Sequence, residues 1–319
     1  MFKTEVTNEI NIDSIPENSK KYYWLEVARG PLHNEIYIPI LIAKGINKGP
    51  TLGLTAAIHG DELNGIPVIQ RLFNEIETKT LSGIIIGVPI VNVPGFTKKT
   101  RKFVDGVDLN HIMPGSHGNS SSLYAHNFFE KVVRKFDYLL DLHTASFGRE
   151  NTYYIRADME NEIIKKFALL QNAQIIVNNP PHDFTLRGAA EEIGIPSITL
   201  ELGNPNTFQK KLIRSGVVGI HNVLAYLKMT EDKLEINKEK AILCETSKWL
   251  YTDTGGLLEV HVKLMDILKE GELIATIKDV FGAKIKNYYS PQNGIVIGRS
   301  IAPVASSGGR IIHIGTINN

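Results

Sequence analysis

Two short stretches hold the residue types that bind a metal ion. In Ala56-Ala57-Ile58-His59-Gly60-Asp61-Glu62-Leu63-Asn64-Gly65, an imidazole and a carboxylate stand three residues apart, close enough to meet one ion from a single turn of backbone. Gly60 between them is expected to let that backbone fold tightly. Two protein ligands do not hold a catalytic zinc; sets of the His₂Glu kind supply three and leave a fourth position for water. The third candidate is His143, in Phe136-Asp137-Tyr138-Leu139-Leu140-Asp141-Leu142-His143-Thr144. Asp141, two residues earlier, falls on the same face of an extended chain and is expected to orient the His143 ring.

The surrounding pattern says how these residues are positioned. Residues 51–58 are small and apolar and are entered through Gly49-Pro50, which suits a buried strand of a parallel sheet. Ile66, Ile69, Leu72, Phe73 and Ile76 then recur at helical spacing, with Pro67 in the first turn. His59 and Glu62 are therefore expected on the loop leaving the carboxyl end of a strand, where open α/β sheets place ligands. His143 ends a second apolar strand, and Glu201 lies at the end of a third, 196–202.

Strand and helix alternate along the rest of the first 230 residues. Strands are expected at 22–27 and 35–42 as an antiparallel hairpin, then at 83–92, 151–156 and 174–178; helices at 123–136, 160–170, 185–193 and 208–227; and a polar loop up to about 122. The fold class that follows is α/β: a mixed, mostly parallel sheet flanked by helices. The polar stretch 231–243 reads as a linker. From 244 to 319, short strands alternate with glycine turns, which predicts a small all-β barrel or sandwich.

Bulk properties narrow the class of partner. The chain has 319 residues, 43% hydrophobic and 22% charged, with a formal net charge of +1, so there is no basic excess suited to nucleic acid or to an anionic membrane. No apolar run approaches membrane-spanning length, and the start lacks an apolar signal-peptide core. Cys244, the single cysteine, cannot form an internal disulfide. A cytoplasmic protein acting on a small molecule is the expectation.

With both half-sites in place, the chain resembles the succinylglutamate desuccinylase/aspartoacylase family, relatives of the zinc carboxypeptidases. The matching motifs are HGDE from His59 to Glu62, DGVDLN from Asp105 to Asn110, DLHT from Asp141 to Thr144, and LELG from Leu200 to Gly203, in order over roughly residues 50 to 230. The β-rich C-terminal module is also similar to one appended to many members. The resemblance implies one Zn²⁺ per chain on His59, Glu62 and His143, Glu201 as general base and acid, and Arg101 as the group that meets the oxyanion. It also implies hydrolysis of an amide in a small N-acylated amino acid or related amine.

One departure bears on the substrate. The family typically reads DLNR, whose asparagine and arginine hold a substrate carboxylate, whereas this chain reads Asp108-Leu109-Asn110-His111. Histidine lacks the two-pronged donor edge of guanidinium, so Arg149, Arg156 and Arg187, near other strand ends, are the candidates to compensate. His111 and His117 read as surface histidines rather than a second metal pair. Two other readings stand beside deacylation. One is a carboxypeptidase acting on peptides, disfavoured by the missing arginine. The other is a binding or carrier protein built on the β module, for which Lys284 and Lys286 are the nearby acceptors, neither in a Met-Lys-Met setting. The expected role of the module is to shield the mouth of the site or to mediate contacts in a homo-oligomer.

Overall fold

The computed structural model describes residues 3–181 and 184–317; the extreme ends of the two expected segments and residues 182–183 lie outside the described residues. One mixed sheet of 14 strands runs through the chain. At its centre Ser82–Val88, Asn47–Ala56, Tyr138–His143 and Ser197–Leu202 lie side by side in parallel. Leu52, Leu54, Ala56, Leu140 and Leu142 are fully or almost fully buried, as strands covered on both faces must be.

Helices close both faces. Gly65–Glu75, Glu162–Leu170 and Lys210–Tyr226 pack on one core, through Ile69, Leu72, Phe167, Ile220 and Leu224. Ser120–Lys131 and Leu186–Glu192 cover the other through Tyr124, Phe128, Leu186 and Ala190. Asn161 and Thr185 start two of these helices by accepting amide hydrogens one turn in. The expected hairpin is present as Ser19–Arg29 against Glu35–Lys44, and its second strand extends the sheet antiparallel to Ser82–Val88.

Several elements differ from the sequence expectation. The expected strand 151–156 is two strands with different partners: Arg149–Asn151 pairs with Gly294–Ser300, and Tyr153–Ala157 pairs with Ser197–Leu202 and Ile175–Asn178. The polar loop before residue 122 holds a helix, Val93–Lys98, and a 3-10 turn, Leu109–His111. Both are too short to display a helical period; the Asn92 side chain accepts from the Gly95 amide and fixes the first one. The strand Lys284–Tyr289 is also additional.

The C-terminal residues form a four-stranded sheet, Lys284–Tyr289, Leu273–Lys278, Gly256–Val260 and Val304–Ala305, and they also continue the main one. Ile242–Tyr251 pairs in parallel with Ile175–Asn178, and Arg310–Ile317 and Gly294–Ser300 follow it outward. The connection before Ile242 lacks regular structure, yet Asn172 and Asn222 both bind the Glu235 backbone and pin it to the helical layer.

Gly60 is required for a reason other than turning the chain. A methyl group there would stand 2.1 Å from the Gly95 carbonyl carbon and 2.2 Å from the Phe96 nitrogen. The metal-loop backbone thus lies directly on the short helix, and neither side can retreat. Gly60→Ala is expected to destabilise the fold by about 1–3 kcal/mol, the usual range for overpacking, and a thermal melt unchanged from the parent would show that this contact yields freely.

Candidate metal centre and its pocket

The parallel register brings the separated motifs together. His143 ends its strand with Glu201 beside it on the neighbouring strand, the two residues being direct Cα partners. Asn47–Ala56 flanks His143 on the other side, so the loop after it delivers His59 and Glu62 to the same rim. The Glu62 amide donates to the His59 carbonyl, 3.1 Å, which closes the loop and turns both side chains inward.

The nitrogen and oxygen donors of His59, Glu62 and His143 all lie within 4.8 Å of one another, and all three residues are buried. Each imidazole is held from behind by a carboxylate: Asp108 Oδ1 is 3.0 Å from His59 Nε2, and Asp141 Oδ2 is 2.7 Å from His143 Nε2. Asp141 is itself fixed by the Thr55 hydroxyl at 2.6 Å. Such partners select the tautomer that leaves Nδ1 as the free donor. Both Nδ1 atoms face Glu62, at 2.9 Å for His59 and 3.0 Å for His143.

Whether these residues fit a divalent ion is answered by His59 Nδ1. It is buried and stands 2.9 Å from Glu62 Oε1, yet it makes no hydrogen bond, which leaves a buried ring nitrogen beside a carboxylate oxygen without a hydrogen-bond partner. A three-sided set of two imidazoles and one carboxylate suits a Zn²⁺-type cation.

Electrostatics agree with that fit. Burial works to raise the Glu62 carboxyl, but the two imidazoles hold it well below the usual carboxylate range. Burial works to lower both histidines, and the carboxylates overcome it: Glu62 carries His59 above its ordinary value, and Asp141 carries His143 well above. Asp108 resists burial in the same way, lowered by His59 and Arg101.

Arg101 and Glu201 stand at the same centre. Arg101 donates to Asp108 Oδ2 at 2.8 Å, to Glu62 Oε1 at 3.0 Å and to the Ser146 hydroxyl at 2.7 Å. Glu201 lies 3.5 Å from Arg156 Nε and accepts from Asn151 at 3.4 Å. Burial raises its carboxyl above the ordinary value, against the pull of Arg156 and His143. These residues line a cavity of about 570 Å³, together with Asn110, His111, Arg149, Arg187, Trp249 and Arg310.

The remaining sequence candidates separate by environment. His111 is exposed at the cavity, whereas buried Asn110 accepts from the Leu186 amide at 2.7 Å. Arg187 is buried and paired with Glu191 at 2.6 Å. His117 packs on the His126 ring, with the ring centroids 4.4 Å apart. Sequence reasoning missed Asp108 as the partner of His59, Asn151 as the partner of Glu201, and Trp249 and Arg310 altogether. Asp108 lies inside a quoted motif but 49 residues from His59, and nothing in local pattern joins Trp249 or Arg310 to this rim.

Residues 48–227 match the succinylglutamate desuccinylase/aspartoacylase catalytic domain. The chain is 26% identical over 296 residues to an N-α-acetyl-L-2,4-diaminobutyric acid deacetylase from Halomonas elongata, covering 88% of this chain and 86% of the relative. It is also 26% identical over 179 residues to a succinylglutamate desuccinylase from Pseudomonas fluorescens, covering 51% of this chain and 52% of the relative. Its fold matches that of the product-bound ectoine utilization protein from Ruegeria pomeroyi, with a TM-score of 0.86 at 21% identity over 95% of this chain and 98% of the other. A succinylglutamate desuccinylase/aspartoacylase structure from Rhodobacter sphaeroides gives a TM-score of 0.86 at 22% identity, covering 98% and 99%. The catalytic-domain match spans more than half of the sequence, and the chain belongs to the succinylglutamate desuccinylase/aspartoacylase family of deacylases, which act on small acylated amino acids.

Proposed function

We propose that this chain is a Zn²⁺-dependent deacylase that hydrolyses the amide bond of a small N-acylated amino acid or related amine. The observation that carries the reading is the convergence of His59, Glu62 and His143, with Glu201 and Arg101, in one cavity. His59, Glu62 and His143 would hold the ion, which when bound makes water nucleophilic near neutral pH and polarises a carbonyl. Glu201, ionised, takes the proton of the attacking water and returns it to the departing amine, so the products are a carboxylate and a free amine. Arg101 offers its guanidinium to the oxygen that gains charge during attack. Asn151 and Arg156 orient Glu201.

Within this reading residues 1–230 form the hydrolase unit, 231–243 the connection, and 244–319 a β-rich unit that walls the cavity through Trp249 and Arg310. The Halomonas relative makes an N-acetylated diamino acid the first substrate to test, and N-succinylglutamate the second. Release of the acyl group from either, with no trimming of short peptides, is the expected result; peptide trimming alone would favour the carboxypeptidase reading.

Replacing His59, Glu62 or His143 with Ala is expected to strip the ion and abolish hydrolysis, since three protein ligands are the minimum in such sites. Metal analysis showing one ion per chain in any of these variants would remove that residue from the set.

Glu201→Gln is expected to keep the ion and the melting temperature while losing about 10²–10⁴ in turnover, the usual worth of positioned proton transfer. A rate near that of the parent would move the base elsewhere.

The acid limb of the pH profile follows from the same group. Glu201 works as a base only when ionised, and burial already raises its pKa. Arg156 opposes that rise, so Arg156→Gln is expected to shift the acid limb of kcat/KM to higher pH. A shift to lower pH, or none, would separate the limb from Glu201.

A further inference from the structure

Three residues from distant parts of the chain meet at the wall of the cavity. Arg149 begins the strand Arg149–Asn151, Arg310 begins Arg310–Ile317, and Trp249 lies in Ile242–Tyr251. The guanidinium carbons of Arg149 and Arg310 stand 5.9 and 5.1 Å from the centre of the Trp249 ring. The indole is held in turn by His313, stacked at 5.1 Å and 10°, whose Nε2 meets the Ser247 hydroxyl.

The charge balance here differs from that at the other arginines of the cavity. Arg101 reaches Asp108, Arg156 reaches Glu201, and Arg187 reaches Glu191. Among the described residues no carboxylate stands within ion-pairing distance of Arg149 or Arg310; both guanidinium groups lie over Trp249, and Arg149 feels the positive charges of Arg310 and Arg101 more strongly than the negative charges of Glu62 and Asp61. Burial, followed by the positive charges of Arg310 and Arg101, pushes the Arg149 pKa down to about 10. Attraction to the face of an indole holds a guanidinium without using up its N–H donors, which stay available for a planar anion. Two guanidinium groups beside one cavity, neither ion-paired among the described residues, suit a carboxylate.

We propose that Arg149 and Arg310, seated on Trp249, form the subsite for a carboxylate group of the substrate, so that the chain acts on N-acylated acids in preference to N-acylated neutral amines. The inference rests on the deacylase reading. It places the anionic grip on the seam between Arg149–Asn151 and the C-terminal strands, away from His111, where guanidinium is missing. The register supports this position: Arg149 is the Cα partner of Ser300, and Gly298 lies where a methyl group would strike Asn151 Oδ1 at 2.3 Å. The C-terminal strands therefore position both Arg149 and the Asn151 that contacts Glu201.

The test compares the metal-loaded parent with Arg149→Gln and Arg310→Gln on three substrates: an N-acetyl amino acid, its carboxamide, and the N-succinyl derivative of a neutral amine. Each substitution is expected to raise KM about tenfold, one charged hydrogen bond's worth, for the substrate whose carboxylate seats there, with kcat little changed and the carboxamide unaffected. Loss on the N-acetyl acid identifies the α-carboxylate as the occupant, and loss on the succinyl compound identifies the acyl end. Unchanged KM for both acids, or an equal loss on the carboxamide, overturns the proposal.

A second readout needs no turnover. The chain has two tryptophans, so Trp24→Phe leaves Trp249 as the only indole. Succinate is expected to change its fluorescence saturably, succinamide is not, and either glutamine substitution should remove the response. If the parent hydrolyses none of the three substrates, the deacylase reading fails and this titration alone decides the subsite: a response equal for succinamide, or untouched by both substitutions, overturns it.

Discussion

The centre depends on one buried carboxylate held between two imidazoles. Glu62 accepts the Thr144 amide at 3.0 Å and faces both Nδ1 atoms, while Asp108 and Asp141 stand behind the rings. Charges of this kind are costly to remove from water, and losing one partner of a buried pair typically costs about 3–5 kcal/mol. The arrangement is held by the carboxylates behind each ring and by the Thr144 amide on Glu62, with His59 Nδ1 left without a hydrogen bond. His59 Nδ1, Glu62 and His143 Nδ1 would hold a cation only with both Nδ1 atoms unprotonated, so ion binding would be coupled to the release of any proton held there.

That chain of contacts exists only if the strands keep their register. Side chains alternate with a period of two, so a one-residue slip of either strand would turn its own site residue, His143 or Glu201, to the opposite face and away from the other. Fully buried Leu52, Leu54, Leu140 and Leu200 penalise such a slip by exposing their own apolar surface or by burying Thr55 and Asp141 against hydrocarbon. The core is thus what holds the site at its required spacing. The Thr55–Asp141 hydrogen bond is the point where packing and chemistry meet, since it joins two neighbouring strands and orients the carboxylate that orients His143.

The sequence shows those parts of the molecule whose cause is local. Strand ends carrying His59, His143 and Glu201, the amphipathic helix after Gly65, and the hairpin all announce themselves by periodicity over a few residues. The helix Val93–Lys98 did not, because six residues show no period and its start rests on one Asn92 side chain. The strand at 151–156 divides for a reason no local window contains: its first part, Arg149–Asn151, is claimed by Gly294–Ser300 at the far end of the chain. Gly60 has the look of a turn residue in the sequence, yet its need comes from Gly95 and Phe96 across the loop. Asp108, Trp249 and Arg310 share that character, being brought to the centre by long-range pairing alone.

The C-terminal strands consequently do more than cover the site. They continue the main sheet past Ile175–Asn178, and in doing so they press Trp249 and Arg310 against a cavity whose floor is built entirely from the preceding residues. On the proposed reading, the floor would supply the ion ligands and the proton carrier, features that suit any amide. The wall would supply guanidinium groups that have no carboxylate partner among the described residues, which suit only some substrates. Chemistry and selection are thereby drawn from different stretches of sequence, joined through the short strand Arg149–Asn151, where one residue faces the wall and the next but one contacts Glu201. A chain with His111 in place of guanidinium can keep its reaction while changing what it grips, because the two tasks rest on different backbone elements.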